Sequence, residues 1–348
     1  MPHTVSIPDV PYLRIATEEA FAPKELFDEY RALIEKGSID DPGFMASWGS
    51  ALSNRRGGSP VVDRLMDLGE QRIAHMDRAG IARQIIALTA PGTQIFPSDA
   101  AASMARLAND ILHDACTTYP DRFTGLTAVA PQNPSFSVEE IRRGIDLGFK
   151  GIIVNSHTQH RYLDDPEFFP LLEAAEALDQ PIYIHPNTPS KGLIEPMVDL
   201  GLHAAIFGFG VEVGLHVLRM IVSGVFDRFP KLKIVIGHLG EALPYWIYRL
   251  DYAYTFTQNG RYDNLPQLEL TPSEYLRRNV WITTSGMAHE PAIMYAREVL
   301  GAERVLYAMD YPYQYDLNEV VIHDNLPLSV AEKTELYQTN AERLFKLV

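Results

Sequence analysis

The stretch Lys233-Ile234-Val235-Ile236-Gly237-His238-Leu239-Gly240 decides the fold. A short run of β-branched apolar residues reads as a strand covered on both faces, which is the mark of a parallel sheet. It ends in glycine and then histidine, and the same grammar recurs far away in the chain. Glu18 follows Leu13–Thr17, His185 follows Pro181-Ile182-Tyr183-Ile184, and Asp310 follows Arg304-Val305-Leu306-Tyr307-Ala308-Met309. Enzymes built on parallel strands assemble metal and substrate where those strands end. Four polar residues at equivalent ends therefore point to a site for one metal ion.

Working outward, strands are predicted at Leu13–Thr17, Arg83–Leu88, Thr124–Ala130, Gly151–Asn155, Pro181–His185, Lys233–Gly237, Val280–Thr284 and Val305–Ala308. Segments of helical period lie between them: Val61–Arg78, Ala100–Thr118, Val138–Leu147, Glu167–Leu178, Val213–Phe226 and Pro291–Leu300. Ser137 with Glu140, Thr271 with Glu274 and Ser329 with Glu332 fit capping boxes, and Asp165-Pro166 fits an N-cap followed by proline at the first helical position. The last of these boxes opens a final helix running to Phe345. Such an alternation, with no return to a sheet edge, predicts an α/β protein with a closed (β/α)8 TIM-type barrel rather than a doubly wound sheet. We read residues 1–348 as one barrel domain. The exception is residues 22–60, an insertion between the first strand and its helix. It carries a helical piece, Pro23–Lys36, and then the turn-rich Ser53–Pro60. On a barrel this insertion emerges over the catalytic face.

A formal charge of −15 over 348 residues argues against nucleic acid or an anionic membrane as partner, because both need a basic face. No apolar run approaches the roughly 20 residues of a membrane span, and the N-terminus lacks the pattern of a signal peptide. The single cysteine, Cys116, permits neither an intrachain disulfide nor a thiolate metal site. These features predict a cytoplasmic protein.

Taken singly, each candidate has an ordinary explanation. An acidic pair such as Glu18-Glu19 is usually solvated, a lone buried histidine usually packs in a core, and Asp310 could start a turn. Their coincidence at equivalent strand ends is what singles them out. His75, His113, His157, His160 and His216 lie in helical patterns or a polar loop and receive no role. Strand four ends in Val154-Asn155, where a binuclear barrel hydrolase commonly carries a modified lysine, so one metal is the expected count. No strand end offers a lysine for Schiff-base chemistry. Glu18, His185 and Asp310 form an oxygen-rich ligand set that leaves positions open and suits Mn²⁺ at least as well as Zn²⁺. His238 is then read as a base or hydrogen-bond donor beside the ion.

Five segments carry a resemblance to a known family: Arg14–Phe21, Tyr183–Pro186, Ile206–Gly210, Gly237–Trp246 and Tyr307–Tyr315. Together they are similar to the amidohydrolase-related, metal-dependent aromatic acid decarboxylases, most nearly the subgroup acting on 5-carboxyvanillate. Many relatives carry Glu-x-His after the first strand, whereas this chain has Ala20 in the third position. The resemblance implies Glu18, His185 and Asp310 as ligands, Arg249 as a substrate-binding residue and Tyr313 as a pocket wall. It also implies a substrate arginine in the insertion, Arg55 or Arg56, and a homodimer or homotetramer.

The expected activity is nonoxidative decarboxylation of a small aromatic acid, an ortho-hydroxybenzoate. Asp310 would deliver the proton to the ring, His238 would support its charge state, Phe209 and Tyr313 would supply aromatic walls, and Arg249 and Arg56 would hold remote oxygens. Two alternatives stay open at this point. One is a hydrolase that uses metal-bound water on a lactone, an amide or a C–C bond. The other is a catalytically silent barrel that binds aromatic acids.

Overall fold

The computed structural model describes residues 6–37, 39–52, 59–258 and 266–347. Among these residues nine parallel strands lie in the order of the chain: β1 (Arg14–Phe21), β2 (Ile81–Leu88), β3 (Phe123–Gly125), β4 (Thr127–Ala128), β5 (Ile152–Val154), β6 (Ile182–Ile184), β7 (Ile234–Ile236), β8 (Val280–Thr283) and β9 (Val305–Leu306). Helices separate most of them, which is how parallel neighbours must be connected. Strand pairing makes a three-stranded sheet, β1-β2-β3, and a six-stranded sheet, β4 to β9. The expected third strand is thus two pieces broken at Leu126, and the two sheets meet there. Leu126 N donates to Ile86 O at 2.9 Å, which keeps the pieces in one wall. At the other seam Thr17 N donates to Tyr307 O at 3.1 Å and Ala20 N to Tyr311 O at 2.7 Å. The barrel therefore closes through individual hydrogen bonds at its seams rather than through a continuous ladder.

Strands β5, β6 and β7 are Ile-Ile-Val, Ile-Tyr-Ile and Ile-Val-Ile, and every residue in them is buried. Covering on both faces explains why alternation is absent from these runs. β1 runs further than its apolar start suggests, through Phe21, so Glu18 and Glu19 lie within the strand rather than behind it. The pairing of β1 with β2 slips between Ala16 and Glu19, where Ala16 faces Gln84 and Glu19 faces Ile86. Two rungs on β2 span three on β1. This bulge breaks the alternation of faces and lets two consecutive glutamates both point into the protein.

The insertion folds as α1 (Lys24–Lys36) and α2 (Pro42–Ala51). α2 was not expected. It starts at Asp41, whose Oδ1 accepts Phe44 N at 2.9 Å, with Pro42 at the first helical position. Its aromatic residues bind it to α1: the Tyr30 ring packs edge-on against Phe44 at 5.1 Å and tilted against Trp48 at 5.7 Å. Tyr30 also donates to Gly92 O at 2.9 Å, fixing α1 to the loop after β2.

The single helix expected over Val61–Arg78 is two, α3 (Pro60–Met66) and α4 (Glu70–Ala79). Asp67 breaks it, because its side chain accepts the amides of Gly69 at 3.1 Å and Arg72 at 2.5 Å and so caps α4. The predicted capping boxes at Thr271 and Ser329 are present. Asp165 caps a helical turn as expected, accepting Glu167 N at 3.1 Å. Ser137 and Glu140 do not form the expected box. That helix starts earlier, at Pro134 with Asn133 as cap, and Glu140 is buried against Asn109 and Arg143. No helix among the described residues is long and apolar enough to cross a membrane.

Candidate metal centre and active site

Glu18, His185 and Asp310 each present a ligand atom within 4.8 Å of the others. Local geometry explains why those atoms are free. Glu18 Oε2 accepts the Thr283 hydroxyl at 2.6 Å, while Oε1 is buried and has no hydrogen-bond partner among the described residues. His185 Nδ1 lies 2.8 Å from Pro186 O and must donate to it, so Nε2 carries the lone pair. That lone pair faces Glu18 Oε1 at 3.7 Å, too long for a hydrogen bond and suited to two ligands of one ion. Burial lowers the pKa of His185, which keeps the imidazole neutral as a ligand must be. The donor set and the orphaned oxygen both fit a divalent metal.

Gly237 makes this approach possible. A Cβ there would lie 2.6 Å from Glu18 Oε1. Asp310, four residues after β9, takes φ 65°, a left-handed conformation that disfavours any residue with a side chain. Burial first, then the charge of Glu18, pushes its carboxyl up to about 8, against the pull of His238. His238 and Leu239 likewise have positive φ, so the chain turns sharply beneath the site. Burial disfavours a charge on His238, but Glu241 and the other nearby carboxylates outweigh it and raise the pKa to about 10. His238 Nδ1 lies 2.7 Å from Glu241 Oε1.

His185, His238 and Asp310 open into a cavity of about 450 Å³ lined also by Phe44, Trp48, Asn187, His203, Phe209 and Tyr313. The insertion thus contributes α2 to the roof, and Gly43 comes so near the loop after β6 that a Cβ would meet Thr188. Phe209 and Tyr313 stand in the wall, with the Tyr313 hydroxyl bonded to Thr89 Oγ1. Arg249 is exposed on the helix Leu243–Gln258 and does not line this cavity. Arg55 and Arg56 lie outside the described residues.

Sequence reasoning passed over Glu19, Thr283 and Glu241, each of which touches a residue of the site or its backbone. Their partners are 290, 265 and 3 positions away, so only Glu241, three residues after His238, offered a signal. A second group, Asp41, His157 and His160, also has ligand atoms within 4.8 Å of one another. There, however, His157 uses its nitrogens on Thr188 O and His160 N, and His160 uses its own on Asp40 O and Lys191 N. No imidazole lone pair is left for an ion, so this group ties the insertion to the barrel. His157 and His160 are therefore structural rather than loose loop residues, and His216 is fully buried.

A parallel barrel that gathers two carboxylates and an imidazole in one cluster defines a metal-dependent enzyme of the amidohydrolase type. The amidohydrolase family model matches residues 62–347, and the chain belongs to that family. The 5-carboxyvanillate decarboxylase of Novosphingobium aromaticivorans, solved with manganese and 4-hydroxy-3-methoxy-5-nitrobenzoic acid, is 50% identical with a TM-score of 0.93, over 97% of this chain and 96% of that one. The corresponding enzyme of Sphingomonas paucimobilis is 40% identical with a TM-score of 0.90, over 97% of this chain and 99% of that one. The gamma-resorcylate decarboxylase of Polaromonas sp. is 32% identical over 96% of this chain and 98% of its own length.

Proposed function

We propose that this chain removes CO₂ from an ortho-hydroxybenzoate of the 5-carboxyvanillate type. It is a metal-dependent carboxy-lyase, as are the decarboxylases it resembles. The observation that carries the substrate reading is the conjunction of the Glu18, His185 and Asp310 cluster with an aromatic-walled cavity of about 450 Å³. That volume suits a single substituted ring. When bound, the ion, manganese in the relative's structure, supplies a Lewis-acidic charge that orients and polarises the substrate's carboxylate and ortho-oxygen.

The side chains perform the rest. Glu18, His185 and Asp310 would hold the ion, and Phe209 and Tyr313 would hold the ring in plane. Asp310 is the proton donor: a carboxylate beside a cation is acidic, so the proton it passes to the ring comes from the substrate's hydroxyl. A C–H bond forms at the ring carbon bearing the carboxylate. The C–C bond to that carboxylate then breaks, its electron pair restores the aromatic ring, and CO₂ leaves. His238, kept charged by Glu241, offsets negative charge on the phenolic oxygen. Arg56 is assigned to a remote acidic group of the substrate.

The helix bearing Arg249 exposes Tyr245, Trp246, Tyr248 and Tyr252, each more than half accessible. Such a patch marks a contact surface, and it supports a homodimer or homotetramer. Arg249 lies among these residues, so it would contact substrate only across such an interface. With a single cysteine and a formal charge of −15, the chain is read as cytoplasmic. The test is CO₂ release from 5-carboxyvanillate and related ortho-hydroxybenzoates, with and without Mn²⁺. Release that depends on metal is expected, and no release from any of them sinks the proposal.

A further inference from the structure

We propose that Glu19 is the positioning residue that holds Asp310 in place. Its two carboxylate oxygens accept the peptide amides on either side of Asp310: Met309 N at 3.0 Å and Tyr311 N at 3.1 Å. Asp310 itself sits at φ 65°. A residue with a Cβ leaves that region unless its surroundings prevent it, and a relaxed backbone would swing the carboxylate away from Glu18 and His185.

The other bonds on this segment fall on its carbonyls, Gln314 N donating to Asp310 O at 2.8 Å and Ala20 N to Tyr311 O at 2.7 Å, and leave the two amides to Glu19. β9 ends at Leu306, and the seam to β1 consists of separate bonds from Thr17 and Ala20 to Tyr307 and Tyr311. Met309 and Tyr311 are buried, so without Glu19 both amides would be left without a partner, which a folded chain rarely tolerates. Glu19 is braced in turn. Gln84 Nε2 donates to Oε2 at 3.1 Å, Gln84 Oε1 takes a bond from Arg72 at 3.2 Å, and Arg72 donates to Ala20 O at 2.7 Å. Every neighbour of the carboxylate is a donor, so an amide in its place would set its NH₂ against one of them. The bulge in β1 is what lets Glu19 serve Asp310 from behind while Glu18 presents its carboxylate to His185 and Asp310.

The inference rests on the reading of Asp310 as ligand and acid, and Glu19→Gln in the full chain tests it with two readouts that do not depend on turnover. In metal-free protein, hydrogen–deuterium exchange at Met309 and Tyr311 is expected to accelerate while exchange elsewhere stays as in the wild type. Mn²⁺ affinity, followed by the EPR signal of the free ion, is expected to fall roughly 10- to 100-fold, the usual effect of losing a group that orients a ligand. A residue that merely supports the fold would speed exchange broadly instead. Unchanged exchange at these two amides, or Mn²⁺ affinity within about twofold of wild type, overturns the proposal. If Glu19→Gln does not fold, Gln84→Leu removes one donor to the same carboxylate. A smaller acceleration confined to Met309–Tyr311 then supports the proposal, and none there overturns it. A wild-type protein that released no CO₂ from any hydroxybenzoate would defeat the proposed function and leave these readouts standing.

Discussion

His238 Nδ1 and Glu241 Oε1 lie 2.7 Å apart, in a turn where both residues have positive φ. The carboxylate keeps the imidazole charged and aims its other nitrogen at the cavity. Replacing Glu241 with Gln keeps a hydrogen-bond acceptor but removes the charge. The expected result is a kcat lower by roughly 10- to 100-fold with a smaller change in KM, measured on a hydroxybenzoate with saturating Mn²⁺.

Metal removal is expected to abolish turnover and its return to restore it, since Glu18 Oε1 has no hydrogen-bond partner among the described residues and faces His185 Nε2 at 3.7 Å. Glu18→Gln should bind well below one ion per chain by elemental analysis. Unchanged metal content in that variant would exclude Glu18 as a ligand.

Tyr30 is fully buried and its hydroxyl donates to Gly92 O, so Tyr30→Phe leaves a buried carbonyl without that donor. A loss of about 1–2 kcal/mol in urea unfolding is expected. Because Tyr30 fixes the insertion that roofs the cavity, KM should rise as well.

His216 gives a pH dependence of stability. Its Nε2 accepts Leu163 N at 3.0 Å and its Nδ1 faces Ser156 Oγ at 3.2 Å, and burial pushes its pKa down to about 3. The unfolded chain takes up this proton near pH 6.5, so the stability due to neutral His216 is complete above that pH and is lost as pH falls toward 3. At pH 5 the loss is about 2 kcal/mol relative to pH 7. Glu212, pushed up to about 7 by burial, acts with the opposite sign. The check is therefore a difference: His216→Gln should lose less stability between pH 7 and pH 5 than the wild type. Equal losses would refute it.

The strand core was legible because Ile-Val-Ile and its counterparts can only be doubly covered strands. β1 was read too short because Glu18 and Glu19 look like the start of a loop, and only the bulge paired with β2 makes room for them inside. α2 went unread because Gly43, Ser47 and Gly49 weaken its periodicity, and its order comes from contacts made by Phe44 and Trp48 with α1. The strand-end residues Glu18, His185, His238 and Asp310 were visible as chemistry. Thr283 and Glu19 were not, because what distinguishes them is a partner hundreds of positions away. Arg249 shows the opposite limit: a motif places it in a family pattern, but only the structure shows it exposed, outside the lining of its own chain's cavity.

The break at Leu126 has a mechanical consequence. It divides the wall into two plates, and the cluster straddles them: Glu18 stands on the smaller plate, while His185, His238 and Asp310 follow strands of the larger. An ion held by all three residues would act as a rivet across the opposite seam, where separate hydrogen bonds join β1 to the segment after β9. Occupancy of the site and the shape of the cavity would then be one variable. Whatever sheared the plates would also loosen the grip on the substrate.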